Sequence, residues 1–205
     1  MPMLVFAEET TSLTLQGPQQ ARIPVNELFT INLQIKDSVD VYGIEGHLAF
    51  DPAILEVVDM DATTEGIQVQ GGTFINPADE YVFVLQNQAD NTQGLIDYAL
   101  ALRNPAPAAS GDGLLMQITF RPKAEGKTDI TITDSLLVSS DVTKVPHSVE
   151  SLLVNISNSD TTAIYGLTSF TSTTHYFWLI IGGLLLLLSF AFVLYYILKT
   201  YFYKV

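Results

Sequence analysis

An all-β sandwich of two antiparallel sheets, followed by a single transmembrane α-helix, is the fold class this chain predicts. Three observations carry it. Apolar and polar residues alternate almost everywhere before residue 157, no window in that region has the period of a long amphipathic helix, and the 23 residues from Tyr176 to Leu198 contain no charge.

The elements follow in chain order. In residues 1–9, Val5 and Ala7 occupy positions −3 and −1 of a signal-peptidase site, but the apolar stretch before them is short and carries no basic residue. The segment reads as a truncated signal whose start lies upstream, with the mature chain beginning near Glu8, or as an N-terminal arm. Residues 10–157 then hold about nine strand-like runs. In "LFTINLQIK" Phe29, Ile31, Leu33 and Ile35 point inward, and in "YGIEGHLAF" Tyr42, Ile44, Leu48 and Phe50 do so while Glu45 and His47 point outward. The same alternation recurs in "YVFVLQN". It places Ile96, Tyr98, Leu100 and Leu102 inward in "LIDYALAL", and Leu114, Met116, Ile118 and Phe120 inward in "LLMQITF". Weaker strands are "SLTLQG", "ILEVV", "TDITIT" and "SLLVNIS". Turn signals separate them, at Asp51-Pro52, Gly71-Gly72, Asn76-Pro77, Asn104-Pro105 and Gly111-Asp112-Gly113. At the first of these Pro52 cannot donate to a sheet ladder, so the strand ending at Phe50 stops and Asp51 caps the turn through its own side chain.

Residues 158–175 are rich in Ser and Thr and read as a stalk, with an apolar "AIYGL" that exceeds what a passive spacer requires. Residues 176–198 read as the membrane span, bordered by aromatic residues at both ends, among them Trp178. Lys199 and Lys204 lie just beyond it, while the nearest charge before it is Asp160. The positive-inside bias therefore puts residues 199–205 in the cytoplasm and the sandwich outside. Within the span, Gly182 and Gly183 offer small residues against which another helix can pack. Trp178, Gly182, Gly183 and Lys199 are the membrane-interface and helix-packing candidates.

Charge and composition exclude several functions. All 22 acidic residues lie between Glu8 and Asp160 against seven basic ones, a net charge of −15 that opposes nucleic-acid binding. Cysteine is absent, which excludes disulfides, thiolate metal sites and iron–sulfur ligation. No Gly-x-Ser-x-Gly elbow, His-Glu-x-x-His pair or phosphate loop is present, and no cofactor site is expected. His47, His147 and His175 are too scattered to suggest a metal site, and His47 falls on a polar strand face. Asp59 and Asp61 have the one-three spacing of a calcium loop, but position six is Thr64 rather than Gly and position twelve is Gln70 rather than Glu, so "DMDATTEG" reads as a solvated acidic turn. The sequon at Asn155 reads as a chance match.

The run "VYGIEGHLAFDPAILEVVD" resembles the segment of cohesin domains in which a Gly-containing strand enters an aromatic-Asp-Pro turn and then a Leu-rich strand. "GDGLLMQITFRPKAEGKTDITITDSLLVSSD" is similar to the later cohesin passage of a Gly-Leu-Leu strand, a Gly-containing turn and an Ile-rich strand. The resemblance spans roughly Ser12 to Ile156. It implies a nine-stranded jelly-roll sandwich and a non-catalytic binding scaffold at a cell surface, with dockerin modules as partners. Carbohydrate-binding modules share much of the pattern, so a polysaccharide partner is a further expectation. A second reading makes the chain an accessory single-pass subunit of a larger respiratory or photosynthetic membrane complex, with the sandwich on its external face.

Overall fold

A computed structural model of the chain describes residues 10–18 and 22–158. The expected N-terminal signal or arm (1–9), the stalk beyond Asn158, the span and the tail, with Trp178, Gly182, Gly183 and Lys199, lie outside the described residues.

Eleven strands are present among the described residues: β1 (Ser12–Gln16), β2 (Phe29–Val41), β3 (Gly43–Ala49), β4 (Leu55–Val57), β5 (Gln70–Gly71), β6 (Val82–Asp90), β7 (Leu95–Leu102), β8 (Ala109–Pro122), β9 (Gly126–Val138), β10 (Ser148–Glu150) and β11 (Leu152–Ile156). The nine runs read from the sequence are all strands. The two additions, β5 and β10, have two and three residues and are too short to show a period. One sheet runs β10-β1-β2-β8-β4, with β5 also paired to β8, and the other runs β11-β9-β3-β7-β6. Every strand pairing is antiparallel except that of β1 with β10.

The inner faces of both sheets form one core. Phe29, Ile31, Leu33 and Ile35 are buried as expected, and they meet Ile44, Leu48, Ile96, Tyr98 and Leu100 from the other sheet. Phe120 stacks on Phe29 at 5.6 Å between ring centroids and takes Phe50 edge-on at 5.3 Å, an arrangement aromatic pairs prefer.

The Asp-Pro turn is where the chain changes sheet. β3 belongs to one sheet and β4 to the other, so the residues between them must leave one ladder and enter the second. Asp51 does cap this turn: its Oδ1 accepts from the Ala53 N–H at 2.8 Å, and its carbonyl accepts from Ile54 and Leu55.

Three inward assignments need correction, and bulges explain them. Leu33 faces Met116 while Gln34 faces Leu114, so Leu115 is an extra residue in β8. Leu115 is therefore buried at 1% exposure, and Leu114 is only half-buried. In β2, irregularities at Asp37 and Asp40, both at positive φ, shift the parity so that Val41 is buried and Tyr42 is half-buried between β2 and β3. In β6 the expected buried face is interrupted: Val82 and Ala89 reach the core, but Phe83, Val84 and Leu85 are all exposed, because β6 is a sheet edge and is bulged against β7 between Val84 and Gln86.

Candidate protein-binding face

The outer face of the β9-β3-β7-β6 layer is built by strand register. One cross-strand row consists of Phe83, Ala101, Gly43 and Val138, and the next of Gln86, Ala99, Glu45 and Leu136. The third row is polar throughout, with Gln88, Asp97, His47 and Asp134. The face therefore grades from apolar at one end to acidic at the other.

Small residues form the floor at the apolar end. Gly43, Ala99 and Ala101 leave the backbone low, while Leu85 on one side and Leu136, Val138 and Val142 on the other rise above it, enclosing a shallow groove of about 220 Å³. Leu85 is 68% exposed and Val142 83% exposed. Contiguous exposed apolar surface of this kind, rimmed by polar groups, marks interaction sites on soluble domains. At the β6 edge the Arg103 guanidinium lies over the Phe83 ring, 4.9 Å from its centroid, and over the Tyr81 ring, 5.8 Å from its centroid.

At the acidic end, His47 Nδ1 lies 2.6 Å from Asp97 Oδ1 and its Nε2 lies 3.0 Å from Glu45 Oε1. Both ring nitrogens can donate only in the imidazolium, so the hydrogen bond to Asp97, followed by that to Glu45, raises the His47 pKa above its ordinary value. The outward placement of Glu45 and His47 agrees with the sequence reading.

The loop after β9 bounds the groove. The Ser139 N–H donates to the Thr143 carbonyl at 2.9 Å and the Val142 N–H to the Ser139 carbonyl at 3.0 Å, which closes a tight hairpin. The Asp141 carboxylate accepts from the hydroxyls of Ser139 and Thr143, which holds its pKa below the usual value.

The other candidates have structural partners. Asp59 Oδ1 accepts from the N–H groups of Asp61 and Gln68, and Asp61 accepts from Thr63 and Thr64, so both carboxylates act as caps of their own loop. His147 lies with Nδ1 2.9 Å from the Val145 carbonyl and Nε2 2.8 Å from the Ser135 hydroxyl, which ties the β10 approach to β9. Among the described residues no group of three or more His, Asp or Glu is arranged to hold a metal ion.

No residue of this face was named from the sequence as a recognition residue. The signal available was the loss of alternation: "VFVL" in β6 and "LLV" in β9 are apolar at both parities, which one buried face does not require.

The model of the cohesin domain family matches residues 13–156. No curated protein matches the chain. A type II cohesin domain from the cellulosome of Acetivibrio cellulolyticus is 20% identical with a TM-score of 0.61, covering 72% of this chain and 96% of that one. A non-cellulosomal cohesin from the archaeon Archaeoglobus fulgidus is 18% identical with a TM-score of 0.55, over 78% and 99% of the two chains. The sixth cohesin of scaffoldin B from Acetivibrio cellulolyticus, solved in complex with a Cel5 dockerin variant, is 15% identical with a TM-score of 0.56, over 73% and 100%. At these identities the structures share the fold, and the family match covers well over half of the chain. The protein belongs to the cohesin domain family, whose members are non-catalytic, protein-binding scaffold modules.

Proposed function

We propose that this domain is a docking module that receives a dockerin-type protein on the outer face of β6, β7, β3 and β9, and that residues 176–198 hold it at a membrane with the domain on the external side. The observation that carries the docking site is the groove floored by Gly43, Ala99 and Ala101 between the exposed Leu85 and Val142. Desolvating such apolar walls supplies affinity, while the acidic row at His47, Asp97 and Asp134 fixes orientation and favours a partner with a cationic residue at that end. The dockerin bound by the relative described above supports the partner class. The uncharged run and the lysines after it support the anchor.

The test is a binding panel. The full chain in mild detergent is titrated with the Cel5 dockerin and with dockerin modules encoded by the source organism. At least one should bind, and Leu85→Asp should weaken that complex at least tenfold, because it buries a carboxylate against an apolar partner. A panel without a binder, or a Leu85→Asp chain that binds as well as wild type, overturns the docking site. Removal of residues 176–205 should release the protein from the membrane fraction, and retention there would count against the anchor.

A further inference from the structure

We infer that Val142 is a specificity-determining anchor of this docking face, kept in a strained backbone conformation so that its side chain stands over the groove. The inference rests on the docking reading above and adds the residue on which recognition turns.

Four non-glycine residues in the described chain have positive φ: Asn26, Asp37, Asp40 and Val142. The first three are the residue types that tolerate the left-handed region, because their short polar side chains bond locally. Val142, at φ 63°, is β-branched, and for such residues this conformation is an outlier. The hairpin position it occupies, after a tight turn and before β-pairing resumes at Lys144, is one where glycine is the usual solution. Strand propensity does not explain the valine, since it lies outside every strand. Core packing does not explain it either, since it is 83% exposed, the highest value among the large apolar residues of the described chain.

The neighbourhood holds the strain in place. Ser139 and Thr143 bond to each other and to Asp141, and the Ser140 N–H reaches Asp40 Oδ2 at 3.3 Å, tying the loop to the bulged part of β2. The result is an isopropyl group fixed above the rim opposite Leu85, both lining one groove. A strained conformation that buries nothing in the free protein and projects an apolar group at a binding rim is the pattern expected where strain serves recognition. The matching feature on the partner is an aliphatic pocket or the gap between two apolar side chains of a helix.

The experiment compares three variants of the full chain: Val142→Asn, Val142→Gly and Val142→Ile. Asparagine relieves the strain without glycine's entropy loss and removes the apolar group. Val142→Asn should raise Tm by roughly 2–4 °C and raise the Kd for a binding dockerin about tenfold or more. Val142→Gly should weaken binding to a similar degree, and Val142→Ile should keep both wild-type Tm and wild-type affinity. The opposite signs of stability and affinity separate a recognition role from a structural one. Unchanged affinity in Val142→Asn, while wild type binds, overturns this role and leaves the docking face standing. A Val142→Asn chain that loses Tm overturns the strain argument. A wild-type chain that binds no dockerin removes the docking reading, and the role of Val142 with it.

Discussion

Gly94 fixes the turn that carries the chain from the binding sheet to its partner sheet, and its replacement by alanine should be strongly disruptive. Gly94 has φ 72°, its carbonyl accepts from the Phe50 N–H at 2.9 Å, and its N–H donates to the Asp90 carbonyl at 2.8 Å. A Cβ at this position would lie 2.2 Å from the Phe50 carbonyl oxygen and 2.8 Å from Pro52 Cδ. The first contact is with backbone, so no rotamer relieves it. The left-handed conformation costs about 1–2 kcal/mol for an L-residue, and moving Phe50 away sacrifices a hydrogen bond of about 1 kcal/mol. The sum is about 2–3 kcal/mol, which in a domain of about 150 residues lowers Tm by roughly 4–12 °C. Gly111→Ala is the matched control: φ is 95° and nothing lies within 4 Å of the added Cβ, so it carries the conformational term alone. Unfolded-state entropy changes equally in both and cancels in the difference. Urea denaturation of wild type and both variants measures that difference. Equal losses for Gly94→Ala and Gly111→Ala would refute the close approach of the Asp-Pro turn to β7.

Three further outcomes follow from the packing and the face. Leu115→Ala should cost about 3–5 kcal/mol and Leu114→Ala less than about 1 kcal/mol, measured by urea denaturation, and the reverse order would contradict the bulge in β8. Tyr98 is buried with no hydrogen-bond partner for its hydroxyl among the described residues, and burial pushes its pKa up to about 12, so Tyr98→Phe should keep or raise stability by up to about 1 kcal/mol. Because the His47 pKa is raised on folding, its stabilising contribution is fully present below the ordinary histidine value of 6.5 and is lost as pH rises through the raised value. The difference in urea midpoint between wild type and His47→Gln should therefore shrink from pH 6.5 upward, and a difference independent of pH would remove the Asp97 and Glu45 partnership.

Much of the sandwich was legible because burial on one face imposes a period of two, and that period survives in β1, β3, β7, the first half of β2 and β9 as far as Ile132, beyond which a bulge at Thr133 resets it. The Asp-Pro turn was legible for a different reason, since proline and aspartate act through local chemistry. Parity failed where the ladder is bulged: the extra Leu115 reverses the assignment of Leu114, and the positive-φ residues Asp37 and Asp40 displace Tyr42. Nothing local in "GDGLLM" marks which leucine is the inserted one, because the bulge is set by pairing with a strand about eighty residues earlier. The binding face stayed hidden for a similar reason. Gly43, Ala99, Leu85 and Val142 come from four separate segments, and only strand order makes them neighbours. Edge position was equally invisible, so the apolar run in β6 read as a core strand rather than as exposed surface.

The central claim is that a protein partner seats on the β6-β7-β3-β9 face. Amide hydrogen exchange of the full chain, with and without a saturating dockerin module that binds, tests it most directly. Protection should rise in residues 43–47, 83–88, 97–101 and 134–143, and remain unchanged across β1, β2 and β10 on the opposite sheet. Protection confined to the opposite sheet, or to the two ends of the sandwich, would contradict the account.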